Sequence, residues 1–169
     1  MIHLRWLALL SFLTVQGFCA DAAVLLDKAN ALPLALDDAF EFRKIKTEVL
    51  DPDLAKPTQE KMLNFQRPFR YFGAVSGVER RARQGQYFTF FWRTKRDAAL
   101  TVRFEYRQAN LGSYVMAKEY FYDNAKGSVR TEFSVLGDDY VDDGRVTQWR
   151  ALLIEEGKVV GLTQSFLWN

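Results

Sequence analysis

Between residues 100 and 107 apolar and polar side chains alternate without a break. Leu100, Val102, Phe104 and Tyr106 fall on one parity, and Thr101, Arg103, Glu105 and Arg107 on the other. A helix would scatter those apolar residues around its circumference, whereas a pleated strand puts them on one face. Most of the chain after Pro68 has the same texture. Phe88, Phe90 and Trp92 share one face of 86–94, with Tyr87, Thr89, Phe91 and Arg93 behind them. Further strands are expected over 69–78, 114–122, 128–136, 145–154 and 159–168. Upstream, 39–49 carries Phe40 and Phe42 on one face and Ile45, Thr47 and Val49 on the other, so a bulge or bend is expected near Lys44. A short helix is expected over 22–32, stopped by Pro33, and a helical turn from Thr58 to Met62.

Short polar clusters separate the strands: Lys95-Arg96-Asp97, Asn110-Leu111-Gly112, Asn124-Ala125-Lys126-Gly127, Asp142-Asp143-Gly144 and Glu155-Glu156-Gly157. Glycine reaches positive φ at little steric cost, and Asn and Asp tolerate it. Links this short join antiparallel neighbours, because a parallel crossover needs a dozen or more residues. The expected fold is all-β, an antiparallel β-sandwich of about eight strands, immunoglobulin-like or fibronectin-III-like in architecture. A small eight-stranded outer-membrane barrel is the competing fold. Against it stand links that are nearly all short and strands apolar on both faces, such as 86–94 and the run Ala151-Leu152-Leu153-Ile154.

The N-terminus has the pattern of an export signal. One basic residue, Arg5, precedes an apolar run from Trp6 to Val15, and Ala20-Asp21-Ala22 offers a cleavage site after Ala22 or Ala20. The run is short for a bilayer-spanning helix, so no stable membrane span is expected once the signal is removed. The expected organisation is a signal peptide over 1–22, an N-terminal segment over 23–67 and a β core over 68–169, the last two forming one domain. About 147 of the 169 residues would remain, enough for a real core.

The only histidine, His3, and the only cysteine, Cys19, both lie in that leader. A mature chain without them has no Ser-His-Asp triad, no thiol nucleophile, no histidine-ligated metal and no disulfide. Glu105, Glu119 and Glu132 alternate with apolar neighbours as solvent-facing residues do, which argues against a carboxylate pair for glycoside hydrolysis. No phosphate-binding glycine loop and no G-x-S-x-G is present. A formal net charge of +2 gives no electrostatic case for nucleic acid, and Arg80, Arg81 and Arg83 read as a solvated link.

Three constellations remain. Asp138, Asp139, Asp142 and Asp143 crowd one connection, and clustered carboxylates are the donor type of a structural calcium site. Tyr140 beside them has the position of a tyrosine corner, with its hydroxyl bonded to backbone. Tyr114, Tyr120 and Tyr122 share one face of a strand, and Tyr87 and Phe91 share another; together they are the candidate platform for sugar rings. The functional expectation is an extracytoplasmic (periplasmic or secreted), non-enzymatic protein that binds another extracytoplasmic protein or supports an envelope assembly. An edge strand is the expected contact, by strand addition. The alternative is a carbohydrate-binding module.

Overall fold

The computed structural model describes residues 23–26, 29–52 and 69–168. The leader, its cleavage site and the expected turn from Thr58 to Met62 lie outside the described residues. Six strands form one antiparallel sheet: β1 (Val24–Leu26), β2 (Phe40–Leu50), β3 (Gly85–Gln108), β4 (Met116–Leu136), β5 (Val146–Glu155) and β6 (Lys158–Gln164). Between them lie the short helices α1 (Gly77–Arg83), before β3, and α2 (Asp138–Val141), after β4. The strand path runs β1-β4-β3-β5-β6, and β2 also pairs with β3.

That arrangement is possible because β3 is 24 residues long and serves different neighbours along its length. Its first half, 85–94, lies between β2 and β4. Its second half, 101–108, lies between β4 and β5. The two halves then face each other. Phe88 and Phe104 sit on the same strand, and a straight strand of sixteen residues would separate them by about 50 Å. Their ring centroids are 4.8 Å apart. Phe90 meets Phe104 at 5.7 Å, and Phe104 stacks on Phe133 of β4 at 5.2 Å. The parity seen in the sequence therefore builds one core: Phe88, Phe90 and Trp92 from the first half pack with Leu100, Val102, Phe104 and Tyr106 from the second.

Among the described residues the expected eight strands are corrected to six. Lys95-Arg96-Asp97 and Asn124-Ala125-Lys126-Gly127 are bends within continuous strands, not turns between them. Pairing slips on either side of Ala98, which opposes Ala125, so both bends occur side by side in the hairpin. Gly127 supplies φ 66°, the Thr94 hydroxyl exchanges bonds with the backbone of Arg96, and Lys126 reaches Asp97 at 3.2 Å. Residues that release strand geometry serve a bend as well as a reversal. The expected bulge near Lys44 is present, between Phe42 and Lys44.

Two other segments differ. The expected strand over 69–78 is instead helical at 69–70, a turn over 71–73 and the start of α1 from Gly77. Ser76 caps that helix, accepting from Glu79 N while the Glu79 carboxylate accepts from Ser76 N, a reciprocal cap that fixes a helix start. The expected helix over 22–32 contains β1 instead, which pairs with Ala117, Lys118 and Glu119 on the edge of β4. An open strand edge outweighs a weak local helix preference there. Residues 33–37 then run beside the start of β6, with Ala35 N bonded to Val159 O at 2.9 Å and Asp37 N to Val160 O at 3.0 Å.

Candidate binding surface

The face of β3 that carries Tyr87, Thr89 and Phe91 looks away from the core. Pairing aligns Lys46, Thr89 and Glu132 in one row, and Glu48, Tyr87 and Ser134 in the next. Arg70, from the turn before α1, reaches down onto these rows. It grips Glu132 with two parallel bonds, Nη1 to Oε1 at 2.8 Å and Nη2 to Oε2 at 3.0 Å, and gives Nε to Glu48 at 3.3 Å. Its guanidinium lies 3.9 Å from the Tyr87 ring centroid. Glu132 also accepts from Thr89 at 3.1 Å and from Arg130 at 2.8 Å, and Lys46 pairs with Glu48 at 2.5 Å.

Charge-assisted bonds of this kind hold a carboxylate ionised. Burial pushes the Glu132 carboxyl up, but the bonds from Arg70, Arg130 and Thr89 outweigh it and hold the group at about 2. Bonding to Glu132 raises Arg70 against the opposing effect of burial. Desolvation raises Tyr87, whose hydroxyl donates to Arg83 O at 2.9 Å. A cavity of about 570 Å³ opens beside this network, lined by Phe69, Arg70, Arg83, Phe91 and Arg130 among others. Glu132 is thus held ionised by Arg70, Arg130 and Thr89. Arg70 covers Tyr87, leaving Phe91 as the partly open ring.

The sugar-platform residues therefore divide. Tyr87 and Phe91 share the cavity face. Tyr120 packs on Phe133 at 5.1 Å, and Tyr122 lies edge-on to Trp92 at 5.5 Å with its hydroxyl 2.7 Å from Thr131. Tyr114 stands apart, 56% exposed in the link before β4. The five aromatic residues do not form one surface.

The aspartates divide as well. Arg81 of α1 donates Nε to Asp138 at 2.9 Å and Nη2 to Asp142 at 3.2 Å. Asp139 contributes its backbone carbonyl to Gln108, at 2.6 Å. Among the described residues no group of three or more His, Cys, Asp or Glu is arranged to hold a metal ion. Tyr140 is buried as its position implied, but its hydroxyl donates to the Asp51 carboxylate at 2.8 Å rather than to backbone. Burial and that carboxylate push it up to about 12.

One network escaped the sequence reading. Glu105, expected to face solvent, is 3% exposed. Arg150 donates to it at 2.6 Å, while Arg103 donates to Glu119 at 2.6 Å and to Asn30 O at 2.9 Å. Trp168 lies over the network, its ring centroid 5.0 Å from the guanidinium carbons of both Arg107 and Arg150. The available signal was the alternation of sign along Arg103, Glu105 and Arg107, since opposite charges directly across a ladder stabilise pairing.

The segment that delivers Arg70 has a second property. Phe69, Phe72, Val75 and Val78 recur every third residue and are 72%, 81%, 85% and 79% exposed. None of the α1 residues is buried. Arg80 and Arg83 stand beside the strip, bonded to the carbonyls of Ala74 and of Arg70 and Phe72. No described helix is long and apolar enough to cross a membrane. No family model, curated protein or solved structure matches the chain.

Proposed function

We propose that the chain is an exported, non-enzymatic β-sandwich of one domain that docks another extracytoplasmic protein through the strip from Phe69 to Val78. The strip carries this reading. A contiguous run of exposed apolar side chains rimmed by polar ones is the mark of an interaction surface, and arginine and aromatic residues are enriched in such contacts. The sandwich reading draws support from the pairing. One layer is β2, the first half of β3 and the end of β4. The other is the start of β4, the second half of β3, β5 and β6. Lettered in chain order as A, B, C, C′, E, F and G, the layers are A-B-E and C′-C-F-G, close to an immunoglobulin-like or fibronectin-III-like arrangement. A membrane barrel closes its sheet, whereas among the described residues β1 and β6, the ends of the strand path, do not pair with each other.

The test is crosslinking in the producing cell, followed by fractionation and mass spectrometry of the tagged protein. The proposal expects one reproducible extracytoplasmic partner, lost in a Phe72→Asp/Val75→Asp variant that melts like the parent. Recovery without a protein partner, or a partner indifferent to the variant, rejects it. The carbohydrate reading keeps one specific support, the arginine-lined cavity beside Phe91. It requires depletion by an insoluble polysaccharide that Phe91→Ala abolishes.

A further inference from the structure

The first layer has two outer edges, and they are built differently. β2 carries the hallmarks of a protected edge. It is bulged between Phe42 and Lys44, and Lys44 and Lys46 break up its centre. β4 lacks the bulge. From Gly127 to Leu136 it pairs with β3 without a register shift. On its other side β1 covers only Ala117, Lys118 and Glu119. Among the described residues, the regular stretch 127–136 therefore has a strand partner on one side alone, and its Ser134 carbonyl accepts from Lys118 Nζ at 2.8 Å. A regular edge of that length is a template for a further strand.

The sequence of this edge is complementary to itself. In an antiparallel pair centred on Thr131, Arg130 faces Glu132 of a second copy, and Glu132 faces its Arg130. On the same axis Val129 faces Phe133 and Ser128 faces Ser134. Residues of equal parity meet, so outer-face charges pair with outer-face charges and core-side apolar residues with their like. Moving the centre by one residue to Arg130 or Glu132 sets like charges directly opposite, which is destabilising. Arg130 is exposed and bonded to Glu132 of its own strand. In the pair it exchanges that carboxylate for the second copy's, so no donor is stranded. We infer that the chain forms a two-fold dimer by antiparallel pairing of β4 with β4 about Thr131, joining the two first layers into one sheet.

The test is the solution mass of the full exported protein by sedimentation velocity and light scattering across a concentration series. The expected result is twice the chain mass. Arg130→Glu sets glutamate against Glu132 at both ends of the pair and should give a monomer with an unchanged circular dichroism spectrum. Arg43→Glu, on the edge of β2, should leave the dimer intact. If Arg130→Glu does not fold, Arg130→Gln should weaken self-association about tenfold through the two lost pairs. A monomeric parent, a dimeric Arg130→Glu protein or unchanged self-association in Arg130→Gln overturns the inference. None of these outcomes bears on partner docking at Phe72 and Val75, which is read separately by crosslinking.

Discussion

Phe104 is the residue on which the two halves of β3 converge. It is fully buried and touches Phe88, Phe90, Tyr106 and Phe133 with centroids between 4.8 and 5.7 Å. Phe104→Ala removes a ring from both halves at once and should cost about 3–5 kcal/mol in a denaturant titration; a near-neutral result would contradict the packing. This much was legible, because strict alternation assigns Phe104 to an apolar face. The same alternation misplaced Glu105. Period two says which side of the sheet a residue takes, and it says nothing about what covers that side. The arginine neighbours of Glu105 are held by residues distant in the chain, Arg103 by Asn30 O and Arg150 by the Trp168 ring, and no local pattern announces those contacts. Removing one partner of a buried pair leaves the other charge desolvated. Glu105→Ala should therefore destabilise the fold more than Asp97→Ala, whose lysine partner is largely exposed. Equal midpoints for the two variants would show that the cover over Glu105 is loose.

At the scale of the element, turn chemistry was read correctly as loss of regular strand geometry, but its consequence was not. Lys95-Arg96-Asp97 and Asn124-Ala125-Lys126-Gly127 bend a hairpin out of its plane. A reversal and a bend draw on the same residues, so only the packing of Phe88 on Phe104 distinguishes them. The start of β3 offers a sharper local requirement. Gly85 has φ 147°, and a Cβ there would fall 2.1 Å from Val135 O. Gly85→Ala should cost about 3 kcal/mol, combining overpacking with backbone strain. Gly157→Ala is the control. It shares a positive φ of 74° with open space around it, and should cost about 1 kcal/mol. Equal losses in the two variants would mean that the backbone near Val135 yields. For α2, the spacing of four aspartates resembled a calcium site because sequence shows donors and hides their partners. Arg81 engages Asp138 and Asp142, so the melting temperature should be the same with calcium and with chelator. A rise with calcium would show that Arg81 is displaced.

Across the whole molecule, the carboxylates with resolved shifts move in one direction. A backbone bond from Ala39 lowers Asp37, backbone bonds from Ser76 and Val75 lower Glu79, and Glu132 is held at about 2 against an ordinary value of 4.5. Asp37 and Glu79 lie at the surface, where solvent screens such interactions. Glu132 is partly buried and ties three separate pieces of chain together, because Arg70, Thr89 and Arg130 all bond to it. It is expected to dominate the acid response for that reason. A carboxyl whose folded value lies below its unfolded value binds fewer protons folded than unfolded, so its stabilisation is complete above about 4.5 and lost as pH falls towards 2. The melting temperature should be level from neutral pH down to about 5 and then drop steeply. Glu132→Gln should lower it at neutral pH, since a neutral amide replaces a charge-assisted grip worth about 1.5–3 kcal/mol. The same substitution should flatten the acid limb, because the group that titrates is gone. A variant that loses stability at neutral pH yet keeps the full acid slope would place the acid-sensitive tie elsewhere. Arg70 would then be a brace for the turn before α1 and not the clamp that binds that turn to the sheet.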